Sequence, residues 1–218
     1  MFIVLEGGEG TGKSTQAKAL AGRLEAQGHD IVRTREPGGS DLAETLRTLL
    51  VQGDPDSLDP ETELLLFTAA RRDHVRKVIR PAIERGAIVI CDRFVGSTLA
   101  MQGLKICEER IFELHAASVG LWPDRTILLD IDVETGLERT RARARIDAES
   151  ATESRFELKE RIYHEKVRAR FLELSRRLNG WRVFSAISPE DELADMIHDD
   201  IDGLLQGSDT ACQRQGTS

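Results

Sequence analysis

The sequence has few cysteines and no long apolar run, and each shortage excludes a class of protein. Its three cysteines, Cys91, Cys107 and Cys212, show no C-x-x-C spacing, so we expect no disulfide framework and a reducing compartment. No apolar run approaches the roughly 18 residues of a membrane span. Met1 is followed at once by a strand-like run, which leaves no room for a signal peptide. We therefore expect a cytoplasmic protein that has no membrane partner.

The charge balance also narrows the choice of partner. The formal net charge is −8 at pH 7, so we expect no nucleic-acid partner, and local basic clusters should bind small anions. The five histidines are scattered without ligand spacing, which disfavours a metal hydrolase. A hydrophobic content of 40% over 218 residues predicts one buried domain.

Apolar strand-like runs alternate with longer segments of helical periodicity, which predicts an α/β fold with a five-stranded parallel sheet covered by helices on both faces. The predicted strands are Phe2–Leu5, Ile31–Thr34, Ala87–Cys91, Thr126–Leu129 and Arg182–Phe184. The first helix should begin in the loop after the first strand and end near Gln27, and the other predicted helices are Ser40–Val51, Glu61–Arg85, Glu108–Val119, Val133–Arg145, Ser154–Leu178 and Pro189–Leu205. We expect a single domain over 1–205 and a disordered tail over 206–218.

The strongest motif follows the first strand. Gly7–Thr15 reads GGEGTGKST and matches the phosphate-binding pattern G-x-x-x-x-G-K-[ST] in its strand-to-helix context. Glycines let backbone N–H groups turn toward a polyphosphate at the start of a helix, and Lys13 adds a point charge for the β and γ phosphates. Ser14 is the expected Mg²⁺ ligand. The alternative is a glycine-rich turn that binds nothing. The predicted nucleotide-binding residues are Gly7, Gly8, Glu9, Gly10, Thr11, Gly12, Lys13, Ser14 and Thr15.

A second pair of functional residues follows the third strand. The run Ala87–Cys91 leads directly into Asp92 and Arg93, at the sheet edge where open α/β sheets bind ligands. Asp92 can hold Mg²⁺ or its water shell, and the guanidinium of Arg93 can bind two phosphate oxygens. A strand-end salt bridge is the alternative interpretation.

Together these motifs resemble those of the thymidylate kinase family, over roughly residues 2 to 205. The resemblance rests on LEGGEGTGKST at 5–15, TREPGGS at 34–40, LLLFTAARRDHV at 64–75, DRF at 92–94, STLAMQG at 97–103 and GLERTRARAR at 136–145. It implies a P-loop nucleoside monophosphate kinase fold and ATP-dependent phosphorylation of thymidine monophosphate in nucleotide biosynthesis, with Mg²⁺ as cofactor. It also implies a homodimer.

The resemblance further implies roles for individual residues. Glu9 would bind the sugar 3′-hydroxyl, Phe67 would stack on thymine and Arg71 would donate to a base oxygen. The full predicted acceptor-binding set is Glu9, Glu36, Pro37, Arg47, Phe67, Arg71, Arg93, Thr98 and Gln102. Alternatives stay open for several of these. Phe67 could be core, Arg71 and Arg47 could be solvated helix residues, Gln102 could cap a turn, and Glu36 could form a local ion pair.

Arginines cluster in a segment that the resemblance identifies as a mobile lid, about 141–157. The resemblance implies that a lid arginine stabilises the transferring phosphoryl group, and Arg143 and Arg155 are the candidates. With Lys13 and Arg93 they form the predicted catalytic set. A solvated charged helix is the alternative.

Two features of the sequence leave the identity of the acceptor nucleotide and the oligomeric state undecided. The family usually reads AYQG where this chain has Met101 in AMQG, and the missing tyrosine is thought to exclude ribonucleotides. A different acceptor, such as deoxyuridine or uridine monophosphate, therefore remains an alternative, as does a regulatory module that has lost phosphotransfer. The helix Glu61–Arg85 is rich in apolar residues, which either form a dimer contact or belong to a thick core.

Overall fold

The computed structural model of the chain describes residues 1–52, 57–146 and 160–215, the last eight of these and residues 144 and 146 by backbone alone. Its centre is a five-stranded sheet in the order β2-β3-β1-β4-β5 with every neighbouring pair parallel. The strands are β1 (Phe2–Gly7), β2 (Ile31–Arg35), β3 (Ile88–Asp92), β4 (Arg125–Asp130) and β5 (Trp181–Ser185). The predicted fold class and all five predicted strands are therefore confirmed.

Helices connect the strands as the periodicity predicts. They are α1 (Lys13–Ala26), α2 (Asp41–Val51), α3 (Pro60–His74), α4 (Arg80–Glu84), α5 (Val95–Met101), α6 (Glu108–Ser118), α7 (Val133–Ile146), α8 (Arg161–Arg177) and α9 (Glu190–Gln215). A π-helical turn, Val75–Ile79, joins α3 to α4 where the sequence predicts one uninterrupted helix. Pro81 has no N–H to donate into the preceding turn, and the wider turn accommodates that loss.

Three helix predictions need correction or qualification. The short helix α5 was not predicted, because its sequence VGSTLAM has little helical periodicity. α9 continues to Gln215, past the predicted helix end at Leu205 and into the segment predicted as a disordered tail. No proline interrupts that stretch, and Leu205 packs against the core at its start. Of the predicted helix Ser154–Leu178, the described part begins at Arg161, and 154–159 lie outside the described residues.

Alternate residues of β1 face opposite sides of the sheet, and both sides are buried. Phe2 and Val4 belong to a core shared with α3 to α6 and α8, whereas Ile3 and Leu5 belong to a core shared with α1 and α9. The first core also contains Leu64, Val75 and Ile79, so these apolar residues of the α3–α4 segment serve the monomer. Leu65, in the same segment, is instead 53% exposed and does not belong to this core.

The phosphate loop leaves the sheet at its centre, because β1 lies between β3 and β4 and the strand order changes direction there. The loop packs closely against α7. A Cβ on Gly10 would lie 1.9 Å from the carbonyl oxygen of Gly136, and Gly10 has a φ of 68°. Glycine is therefore required at residue 10 both for space and for backbone conformation. Among the described residues, no helix is long and apolar enough to cross a membrane.

Gly10→Ala should lower the free energy of unfolding by more than about 1 kcal/mol, because the new methyl group collides with backbone at a left-handed position. Gly22→Ala is the matched control. Gly22 lies inside α1 with nothing within 4 Å of its added Cβ, so that change should stabilise the protein by about 0.5–1 kcal/mol. Urea denaturation of both variants measures the two effects, and equal destabilisation would contradict the packing argument.

Candidate active site

A cleft of about 250 Å³ opens at the carboxyl edge of the sheet and brings together most of the predicted site residues. The predicted residues that line it are Glu9, Gly10, Thr11, Gly12, Lys13, Ser14, Thr15, Glu36, Pro37, Arg47, Phe67, Arg71, Asp92, Arg93, Thr98, Gln102 and Arg143. Gly7 and Gly8 belong to the same loop but do not line the cleft. Arg155 lies outside the described residues.

The phosphate loop presents an anion-binding helix end. Gly12 has a left-handed conformation just before α1, and the first turn of α1 carries neither an acidic residue nor a side-chain cap, so its N–H groups face the cleft. The Nζ of Lys13 donates to the carbonyl oxygen of Gly8 at 2.7 Å. Burial, followed by the charge of Arg93, lowers the pKa of Lys13 to about 8, although Glu9, Asp92 and Glu6 oppose the shift.

The two predicted metal ligands contact each other. The hydroxyl of Ser14 donates to Oδ2 of Asp92 at 2.5 Å, because β3 runs beside β1 with Asp92 next to Leu5 and both ends meet the start of α1. Hydroxyl and carboxylate oxygens are the ligand types that Mg²⁺ prefers. Within the described part of the chain, no group of three or more His, Cys, Asp or Glu side chains is placed to hold a metal.

Arg93 adopts a conformation that is uncommon for a residue with a side chain. Its φ is 70°, and its guanidinium donates to Gly7 O at 3.0 Å, Ser97 Oγ at 3.2 Å and Glu9 Oε1 at 2.7 Å. Burial acts to lower the pKa of Arg93, but the carboxylates, Glu9 first, outweigh it and the pKa is raised. Burial likewise acts to raise the pKa of Glu9, but Arg93 and Lys13 bring it below its usual value.

A buried network orients Arg71. Its Nε donates to Glu36 at 2.7 Å and its Nη2 to Thr98 Oγ1 at 2.8 Å, and its side chain is 3% exposed. The second oxygen of Glu36 contacts Nδ1 of His74 at 3.2 Å. Arg71 is therefore not a solvated helix residue, and the ion pair of Glu36 is long-range rather than local.

The remaining predicted acceptor residues also have defined partners. Phe67 is 9% exposed and forms part of the cleft wall. Arg47 is half-buried, not solvated, and its Nη1 donates to Pro37 O at 2.7 Å. Gln102 is buried in a 3₁₀ turn after α5, and its amide donates to Glu63 at 2.6 Å. Asp59 caps α3 by accepting two backbone N–H groups, which fixes the start of the helix that carries Phe67.

The described part of the predicted lid contributes one residue to the cleft. Arg143 lines the cleft with an exposed side chain, and it lies one helical turn beyond Arg139. The guanidinium of Arg139 instead donates to Ala186 O at 2.9 Å. The rest of the predicted lid, 147–157, lies outside the described residues.

Sequence reasoning missed Glu6, which contacts two residues of the cleft wall, Phe94 and Ser97. Its side chain is fully buried; Oε1 accepts from the backbone N–H groups of Phe94 and Ser97, and Oε2 accepts from Ser97 Oγ at 2.5 Å. Burial raises the pKa of Glu6 to about 7, against the opposing effects of Ser97 and Arg93. A carboxylate at the end of an otherwise apolar buried strand was the available signal. Other missed lining residues are Arg35, Val51, Phe94 and Ser97.

Comparison with known proteins gives consistent matches over most of the chain. A family model described as thymidylate kinase matches residues 5–197. The chain is 49% identical over 200 residues to a thymidylate kinase of Thermomicrobium roseum, covering 90% of this chain and 91% of that protein. It is 43% identical to one of Pseudomonas putida, covering 98% of each. The crystal structure of thymidylate kinase from Ehrlichia chaffeensis matches with a TM-score of 0.70 and 32% identity, covering 94% of this chain and 98% of that chain.

Glu36→Ala should lower the free energy of unfolding by about 3–5 kcal/mol, because it leaves the charge of Arg71 buried without its carboxylate. Glu165→Ala is the control, since Glu165 pairs with Arg161 on an exposed face of α8, and its loss should cost no more than about 1 kcal/mol. Urea denaturation measures both. A cost for Glu36→Ala as small as that of the control would contradict the buried-pair interpretation.

Glu6 should make stability depend on pH. Because its pKa is raised from 4.5 to about 7, the folded protein holds a proton there that the unfolded chain has released, so its contribution to stability falls as pH rises across that interval. Glu6→Gln removes this dependence, so between about pH 4 and about pH 8 the variant should gain about 3 kcal/mol relative to the unmodified protein. Urea denaturation at both pH values tests this, and parallel pH profiles would refute it.

Proposed function

The chain belongs to the thymidylate kinase family, and from that premise we propose how its residues divide the work of the reaction. It is a nucleoside monophosphate kinase with a P-loop fold, and it uses ATP to phosphorylate thymidine monophosphate. One observation supports the roles that we assign to individual residues. A single cleft of about 250 Å³ is lined by the phosphate loop at one side and by Phe67 and Arg71 at another.

ATP binds with its phosphates on the loop Gly7–Thr15. The uncapped start of α1 supports this, since it offers backbone donors without a competing carboxylate. Lys13, held over the loop by Gly8 O, would exchange that bond for one to the phosphates. Its lowered pKa reflects burial near Arg93, and an anionic ligand favours the charged form.

Ser14 and Asp92 are the residues we assign to Mg²⁺. Their oxygens already lie 2.5 Å apart beside the phosphate loop, and they suit a cation that keeps several waters and takes one or two protein ligands together with phosphate oxygens. Bound there, Mg²⁺ would offset charge on the phosphates of ATP.

The acceptor base binds between Phe67 and the network around Arg71. A flat apolar ring suits a flat base, and the guanidinium of Arg71 is fixed by Glu36 and Thr98. A fixed donor meets a thymine carbonyl but would leave the amino group of cytosine badly paired. Gln102 completes this wall of the cleft.

The acceptor phosphate binds to Arg93, which contacts the phosphate loop at Gly7 and Glu9, and to Arg47, which contacts Pro37. Arg93 already presents its guanidinium to Glu9, which we assign to the sugar 3′-hydroxyl. The phosphate oxygen of the acceptor is anionic at neutral pH, so no general base is needed. Catalysis then comes from positioning and from charge stabilisation by Lys13, Arg93 and a lid arginine, Arg143 or Arg155.

Met101 is the residue we expect to set sugar selectivity. It lines the main cleft and also a smaller cavity of about 30 Å³ next to Tyr163, so its flexible thioether has room to move away from a bulkier acceptor. A rigid ring at this position would exclude a 2′-hydroxyl more strictly.

We also propose a homodimer in a reducing, cytoplasmic setting. Exposed leucines on the packed pair of α2 and α3 support the dimer, since Leu42, Leu49 and Leu65 are 46%, 58% and 53% exposed. Cys91 and Cys107 are both free thiols, which fits a reducing compartment.

Lys13→Ala should lower kcat by at least about 10²-fold, because it removes the charge that faces the transferred phosphoryl group. Lys18→Ala is the matched control, since Lys18 lies on the same helix with an exposed side chain. A coupled assay of ADP release measures both. Near-normal turnover in Lys13→Ala would exclude the proposed role of the loop.

Thymidine monophosphate should be the preferred acceptor when it is compared with deoxyuridine, uridine, cytidine and adenosine monophosphates in the same assay. Met101→Tyr should raise the ratio of kcat/KM for deoxyuridine monophosphate over uridine monophosphate by about 10-fold or more, because the ring crowds a 2′-hydroxyl. Met101→Leu, which keeps a flexible apolar side chain, should leave this ratio nearly unchanged. An unchanged ratio in Met101→Tyr would exclude Met101 as the selectivity residue.

A further inference from the structure

We propose that Glu6 is a positioning residue that holds Arg93 in its working orientation, acting through Ser97 and the backbone of the β3–α5 turn. The proposal rests on the proposed function only in that Arg93 is taken to bind the acceptor phosphate. Glu6 itself lies beneath the turn with no exposed surface, so it does not touch substrate.

Glu6 supplies the acceptors that α5 needs at its start. α5 is seven residues long and has no side-chain cap of its own, and so short a helix does not hold itself together. The carboxylate accepts from Phe94 N at 3.0 Å and from Ser97 N at 2.9 Å. A strand residue distant in sequence therefore takes the place of an N-cap and makes this helix possible.

The same contacts hold Arg93 in its left-handed conformation. The N–H of Arg93 donates to Leu5 O at 2.9 Å, and the next residue of the chain, Phe94, donates to Glu6. Two consecutive residues of β1 thus fix two consecutive residues of the turn. A φ of 70° persists in a non-glycine residue only when its surroundings over-determine it.

The Glu6 carboxylate also orients the hydroxyl that faces the guanidinium. Ser97 Oγ donates its hydrogen to Oε2 of Glu6 at 2.5 Å. Its lone pairs are then left for Nη1 of Arg93, which donates to it at 3.2 Å. Loss of the acceptor at Glu6 would free the hydroxyl to rotate and would remove a defined partner of Arg93.

Gly96, at the start of α5, shows how closely this turn of the chain is fitted over Glu6. A Cβ on Gly96 would lie 2.7 Å from Oε1 of Glu6 and 3.0 Å from Cη2 of Trp181. The turn can approach the carboxylate only because residue 96 has no side chain. Burial raises the pKa of Glu6 to about 7, which is consistent with this close packing around its carboxyl group.

The test compares steady-state constants for both substrates in Glu6→Gln, Ser97→Ala, the double variant and Arg93→Ala, with Asp124→Asn as control. Asp124 also accepts a backbone N–H of β1, that of Phe2 at 2.7 Å, but at the opposite end of the strand. Ser97→Ala keeps the backbone bonds to Glu6, so it carries the test if Glu6→Gln does not fold. Calorimetric titration with thymidine monophosphate measures acceptor affinity independently of turnover.

We expect Glu6→Gln to raise KM and Kd for thymidine monophosphate by about 10- to 100-fold while KM for ATP changes by less than about threefold, since the change misplaces one acceptor-binding group. Ser97→Ala should change them in the same direction, and the double variant should be no worse than Glu6→Gln because both act through one contact chain. Asp124→Asn should leave all constants unchanged.

These measurements distinguish a failure of the proposed role of Arg93 from a failure of the proposed role of Glu6. If Arg93→Ala leaves the acceptor constants unchanged, the proposed phosphate-binding role of Arg93 is wrong. If Arg93→Ala raises them but Glu6→Gln and Ser97→Ala do not, the role of Arg93 stands and the positioning role of Glu6 is overturned. Equal increases for both substrates, or an effect of Asp124→Asn as large as that of Glu6→Gln, would also overturn it.

Discussion

Buried positive charge has to be held at the sheet edge in a fixed orientation, and the rest of the site depends on how this is done. Arg71 and Arg93 lie largely out of water, and each is paired with a carboxylate at 2.7 Å, Glu36 and Glu9 respectively. Unpaired, each buried charge would be costly. Paired in this way, the arginines keep fixed orientations and present donors that need little rearrangement to meet a ligand.

The central strand is what allows this arrangement. β1 is buried on both faces and ends in the phosphate loop. Its neighbour β3 ends in Asp92 beside it, so the start of α1, the oxygens of Ser14 and Asp92, and Arg93 all meet at one edge. Leu5 and Glu6 then fix the turn that carries Arg93. The rigid packing of β1 therefore fixes the positions of the charged groups beside it.

Local sequence signals were enough to predict the strands, most helices and the phosphate loop, because apolar periodicity and glycine spacing reflect short-range geometry. They were not enough where a helix depends on a distant partner. α5 has weak periodicity and is capped by Glu6 from another strand. α9 passes its predicted end at Leu205, in a stretch that contains no proline. The π-helical turn before Pro81 likewise adjusts a helix that sequence reasoning treated as uniform.

For the site, the sequence by itself determined which residue types are available and that most of them follow strands at one sheet edge, since the motif GGEGTGKST combines glycines, lysine and a hydroxyl at the spacing of a phosphate-binding loop. It left open whether Arg71 is solvated and whether Glu36 pairs locally. The tertiary structure decided both, by joining Glu36 to Arg71 and His74 across two elements. It alone revealed that Ser97 donates to Glu6, because a hydrogen bond between residues distant in sequence leaves no periodic trace in the chain.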